Sequence, residues 1–142
     1  SVLYFFNHTA TPETQPIMMR LKSDLTELVD AAIDGHLDKI EADWDRRVAL
    51  GVVLAAHDYP DNPRKGDSIQ GLGKPADDAH VFHAGTADRD GQVVTAGGRV
   101  LCVTALGDTV KGAQKRAYEI ADDIRFDGMQ FRRDIGYRAI KR

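Results

Sequence analysis

The chain has 142 residues, with 19 Lys+Arg against 22 Asp+Glu for a formal net charge of −3, and 42% hydrophobic beside 29% charged residues. That balance supplies a core and excludes a wholly disordered chain. The mild acidity is the wrong sign for a protein held on nucleic acid by phosphate contacts, and the longest apolar run, 49–56, is strand-length and too short to cross a bilayer.

The N-terminal Ser1-Val2-Leu3-Tyr4-Phe5-Phe6 is apolar but lacks the basic region, long apolar run and cleavage site of a secretory signal. Cys102, the one cysteine, allows no internal disulfide. Both point to the cytoplasm, with no membrane and no nucleic acid among the expected partners.

From Thr11 to Asp34, Ile17, Leu21, Leu25, Leu28 and Ala32 recur at steps of four and three, which predicts one amphipathic helix. Thr11 supplies an N-cap oxygen, Pro12 suits the first helical position, and Gly35 can take the left-handed conformation that ends the helix. Residues 35–46 are polar and acidic, carry Trp44, and read as a linker, the indole covering a core edge.

Val48 to His57 reads as a strand covered on both faces. The turn-rich loop 58–67 follows, with Pro60, Pro63 and Gly66, long enough to suggest function. Four further strands are expected at 69–72, 79–83, 92–95 and 99–105, with Asp90-Gly91 as a hairpin turn between two of them. Asp108 or Thr109 then caps a second helix whose Val110, Ala113, Ala117, Ile120 and Ile124 share a face.

Few residues carry a chemical signal. His80 and His83 are three apart in a strand, so they point to opposite faces and make a poor metal pair; no metal ligand set and no catalytic residue is assigned. Cys102 lies between Leu101 and Val103, as a small buried hydrophobe does. The turn Gly97-Gly98-Arg99 pairs exposed backbone N–H groups with a planar donor fork, which suits a phosphate or carboxylate, although a tight hairpin with a solvated arginine reads the same. Lys65 needs a second converging cation to make an anion site. The tail 125–142 interleaves arginines with Phe126, Phe131 and Tyr137; base stacking and arginine stems packed over a core edge both fit.

Several strings, in order, resemble the phosphoribosylamine-glycine ligase family: 12–25 (PETQPIMMRLKSDL), 50–56 (LGVVLAA), 81–86 (VFHAGT), 97–101 (GGRVL), 103–107 (VTALG) and 133–137 (RDIGY). The resemblance runs from Pro12 to Arg142 and corresponds to about the last third of such a ligase. It implies an α+β chain: the terminal helix of an ATP-grasp domain (1–36), a linker (37–46), and a small mixed-sheet C-terminal domain with one packed helix (47–142). It also implies an enzyme that joins glycine to 5-phosphoribosylamine with ATP and magnesium.

By the same resemblance, Arg99 with Gly97 and Gly98 contacts the ribose phosphate of the substrate. Lys65 is a weaker candidate, and Pro12, Glu13 and Gln15 line the same cleft. Residues 1–11 are atypical for the family or foreign to it. Tyr4 stands where the family has a glutamate, Phe6 an asparagine, His8 an arginine and Thr11 an aspartate, and neither Tyr4 nor Phe6 can hold Mg²⁺, which takes hard oxygen ligands. The expectation is an inactive, monomeric chain binding neither ATP nor Mg²⁺ and lacking the N-terminal lobes that hold them. The alternative is a stand-alone anion-binding or regulatory module without catalysis.

Overall fold

The computed structural model describes residues 14–73 and 76–141. The most buried strand is β5 (Arg99–Gly107), flanked on one side by β1 (Val48–Ala55) and on the other by β2 (Ala79–His83). Both neighbours run antiparallel to it. β3 (Thr86–Arg89) and β4 (Gln92–Thr95) make a separate antiparallel hairpin. The elements are α+β as expected, but every pairing between these strands is antiparallel, so the expected mixed sheet is corrected. β5 is central and each partner runs against it.

Alternation along the strands assigns the two faces of the sheet. Leu50, Val52 and Leu54 of β1 stand opposite Ala105, Val103 and Leu101 of β5. These six join Ala113, Ala117 and Ala121 of α3 (Val110–Asp123) in the hydrophobic core. Three alanines one turn apart let the helix lie close, and a side chain on Gly107 would run into the backbone of Ala113. Leu54, Leu101, Val52 and Val103 are fully buried, worth ~1.5–3 kcal/mol each. α3 begins as expected at Thr109, whose Oγ1 accepts the Gly112 N–H at 3.0 Å. The other face, around Gly51, is covered by α1 (Thr14–Arg20), with Pro16 against the glycine.

The single helix expected over 11–34 is corrected to two: α1 and α2 (Leu25–Ile33). The break at 21–24 has a local cause. Lys22 N–H donates to the Asp43 carbonyl, Asp45 N–H to the Arg20 carbonyl, and Ser23 Oγ accepts the Asp43 N–H. Asp24 then caps α2 by accepting the Thr26 N–H at 2.7 Å. The expected linker is thereby pinned to the end of α1 rather than free. Trp44 is 43% exposed and pairs through its backbone with Leu21, so it covers less than expected. Gly35 does take a positive φ of 72° just after α2, whereas the capping positions Thr11 and Pro12 lie outside the described residues.

Two strand expectations also change. Residues 69–72 form no strand; Ser68 and Gln70 make single bridges to Val94 and Arg125. The Asp90-Gly91 turn joins β4 to β3, an element the sequence reading missed, and not to β2. Beyond α3, Gln130 bridges Ala55 at the outer edge of β1, and the chain ends in α4 (Tyr137–Ile140). Among the described residues, no helix is long and apolar enough to cross a membrane.

Candidate functional site

The turn before β5 is braced from two sides. On one side, the Gly85 carbonyl accepts the N–H groups of Ala96 (2.7 Å) and Gly97 (3.1 Å), while Gly85 N–H donates to the Arg99 carbonyl at 2.9 Å. A β-carbon on Gly85 would meet the Arg99 carbonyl oxygen and Gly97 Cα, so these backbones touch as only glycines allow. On the other side, the ring of Tyr59 and, farther off, Pro63 press on Gly98. Gly98 also accepts the Ala56 N–H at 2.9 Å.

The loop that carries Tyr59 and Lys65 is tied to the same place through Thr95, which is 1% exposed. Gly66 N–H donates to the Thr95 carbonyl at 2.7 Å, Thr95 N–H to the Asp67 carbonyl at 2.9 Å, and Asp67 N–H to Thr95 Oγ1 at 3.1 Å. Arg64 adds a side-chain tie: its Nε donates to Asp67 Oδ2 at 2.9 Å and its Nη2 to Asp127 Oδ2 at 2.5 Å. The Asp67 carboxylate, with Asp127 helping, raises the Arg64 pKa and keeps it charged.

Arg99 and Lys65 thus sit on two loops that the fold holds against each other. Both side chains are exposed, and neither has a hydrogen bond or ion pair among the described residues. The guanidinium of Arg89, from the β3–β4 hairpin, lies over Gly66 beside Lys65 and adds a third cation to the neighbourhood. The sequence leads to the expectation of open backbone N–H groups at this turn, but Gly97 N–H is spent on the Gly85 carbonyl and Gly98 lies under the Tyr59 ring; what remains for a dianion is a fork donor and point charges on pinned loops.

The other expected site residues fare differently. Pro12 and Glu13 lie outside the described residues, as do Tyr4, Phe6 and His8. Gln15 is buried on α1, and its Oε1 has no hydrogen-bond partner among the described residues. Its helix packs at Gly51, part-way along β1, not at the end where Arg99 pairs with Ala55.

The remaining polar candidates have structural partners. His80 stacks edge-on with Phe82 at 4.5 Å between centroids, and His83 Nδ1 lies 3.1 Å from Thr86 Oγ1. Among the described residues no three His, Cys, Asp or Glu side chains come together as a metal site. Cys102 is buried, its Sγ 3.6 Å from Thr104 Oγ1. In the tail, Arg133 lies over the Phe131 ring at 4.5 Å and pairs with Asp122, while Arg132 pairs with Asp134. Those contacts match arginine stems packed over a core edge. Sequence reasoning gave no role to Tyr59, Arg64, Gly85 or Thr95. The only signal they offered was the 81–86 string around Gly85 and the length of the 58–67 loop.

The model of the phosphoribosylglycinamide synthetase C domain matches residues 49–138. The chain is similar to the phosphoribosylamine–glycine ligase of Ralstonia nicotianae, 61% identical over 131 residues that cover 92% of this chain and 31% of that protein. It is similar also to the Pseudomonas aeruginosa ligase, 56% identical over 142 residues, 99% of this chain and 33% of the other. Among solved structures, the phosphoribosylamine–glycine ligase of Thermotoga maritima superimposes with a TM-score of 0.64 at 42% identity, over 76% of this chain and 27% of that one. The chain therefore spans about a third of the length of the curated relatives it matches.

Proposed function

The chain belongs to the phosphoribosylglycinamide synthetase C-domain family, and from that premise we propose that it serves as the C-terminal part of an ATP-dependent ligase joining glycine to 5-phosphoribosylamine in purine synthesis. In that reading residues 1–36 belong to an ATP-grasp unit and 47–142 to the C domain. ATP and Mg²⁺ are held by the part of the relatives' length that these 142 residues do not match. The described residues offer no cluster fit for a magnesium ion. Apolar side chains left exposed on and around α1 and α2, among them Met18, Leu25, Ile33 and Trp44, suit a surface that meets the rest of a longer protein. The chain works in the cytoplasm and, alone, as a monomer.

The contribution of this part is to bind the ribose phosphate. The observation that supports it is the pinning of the Lys65 loop to the Gly97-Gly98-Arg99 turn through Thr95, which sets two cations without partners on neighbouring loops. Acyl phosphate chemistry asks a protein mainly to position anions and neutralise developing charge, and this turn does the first of these for the amine substrate. For these 142 residues by themselves the expected affinity is about millimolar, roughly 4 kcal/mol.

Titration with ribose 5-phosphate followed by amide chemical shifts tests the reading. Gly97, Gly98 and Arg99 respond first, and Arg99→Ala removes the response. Shifts confined to the tail around Arg132 would overturn it.

A further inference from the structure

The seam where α1 meets the start of β1 holds a second group of cations. Arg20 from α1, with Arg46 and Arg47 from the run into β1, surrounds a cleft of about 230 Å³ whose remaining wall is Pro16, Ile17, Val48 and Ala49. Val48 pairs with Gly107 and Ala55 with Arg99. The cleft is therefore at the opposite end of the β1–β5 ladder from the glycine turn, about 20–25 Å away at the rise of an extended strand.

The three arginines are not equivalent. Arg47 is clamped by Asp45, its Nε 3.1 Å from both carboxylate oxygens and its Nη2 2.6 Å from Oδ2; Asp108 and Asp78 act on it at longer range. Arg20 uses only Nε, on the Asp45 carbonyl at 3.1 Å, which fixes the guanidinium and leaves both terminal nitrogens without a partner among the described residues. Arg46 is exposed and has no partner among them at all.

Two uncompensated guanidiniums beside one neutralised pair match a ligand of charge near −2 with several acceptor oxygens, which is phosphate chemistry more than carboxylate chemistry. The apolar half of the wall, with Ile17 40% exposed, favours a phosphate that carries a carbon skeleton. We propose that this cleft binds a small phosphate monoester, at a site separate from the Gly97-Gly98-Arg99 turn.

The test is an amide-shift titration of the 142-residue chain with glycerol 3-phosphate and, in parallel, inorganic phosphate. The expected result is saturable shifts at Arg46, Arg47, Val48 and Ala49, with the ester the tighter ligand. Arg46→Ala, which removes a side chain with no hydrogen bond or ion pair among the described residues, weakens binding at least ~5-fold by deleting a charge-assisted fork, and Arg46→Glu abolishes it. Both variants leave any shifts at 97–99 as they were, so failure here is distinguishable from failure of the ribose phosphate reading. Shifts that do not saturate, that are indifferent to Arg46→Ala, or that fall equally at both ends of the sheet would overturn the site. Equal affinity for inorganic phosphate would overturn its assignment to an ester.

Discussion

The ring of Tyr59 occupies the space that a β-carbon on Gly98 would need. One aromatic side chain thereby fixes the path of the backbone leading to Arg99, and glycine is required there for room rather than for a left-handed backbone. Gly98→Ala is expected to displace the ring and cost ~1–3 kcal/mol, as overpacking does. Urea denaturation checks this, and Tyr59→Ala in the same background should recover part of the loss. A single variant as stable as the parent would show that the ring moves freely.

Thr95 joins the loop of Lys65 to β4 through both its backbone groups and its hydroxyl. Thr95→Val keeps the shape and leaves the Asp67 N–H without its acceptor, so a loss of ~1–3 kcal/mol is expected. Hydrogen exchange locates it: the Asp67 amide should lose protection before the core of β5 does.

Arg99→Ala separates binding from folding. The side chain is exposed and has no partner among the described residues, so stability should stay within ~0.5 kcal/mol while ribose 5-phosphate binding disappears. A matching loss of both in parallel thermal melts and titrations would mean that the arginine is structural.

Acid should weaken the fold through its aspartates. Arg47 holds the Asp45 carboxyl well below the usual carboxylate range, and Arg133 and Arg132 depress Asp122 and Asp134, in each case first through a side-chain hydrogen bond. A pKa lower in the folded chain stabilises it above the unfolded value, and that contribution fades as pH falls through the folded one. The contribution of these three aspartates should therefore be constant from pH 6 to 8 and decline below about pH 4. Urea midpoints at low and neutral pH check it, with Asp45→Asn losing less on acidification than the parent.

The chain alone should release no phosphate from ATP in the presence of glycine and 5-phosphoribosylamine. Its relatives extend to about three times its matched length, and ATP-dependent acyl transfer needs nucleotide and metal positioned together. Release clearly above a blank without protein would sink this expectation.

The helix over 110–123, the central strand from Arg99 and the hairpin turn at Asp90-Gly91 were legible because each has a local cause: a period of three and four, an apolar run, and two residues that tolerate positive φ. The family was legible for a different reason, in strings of residues kept in order from Pro12 to the tail. Periodicity failed at Leu21–Asp24, where the apolar stripe continues through a break made by backbone hydrogen bonds to Asp43 and Asp45 some twenty positions away. It failed again at residues 69–72, which make single bridges instead of a ladder.

By itself the sequence determined the elements with strong local signals, the α+β class and the kinship, and it singled out Arg99 and Lys65 as cations. Only the tertiary structure decided that these two ride on loops pinned together. The pinning runs through Thr95, Gly85 and Tyr59, whose roles depend on contacts between segments far apart in the chain. It alone also gathered Arg20 with Arg46 and Arg47 round one cleft. Propensity and spacing act over a few residues, whereas the convergence of side chains is set by strand register and by where the loops are able to pack.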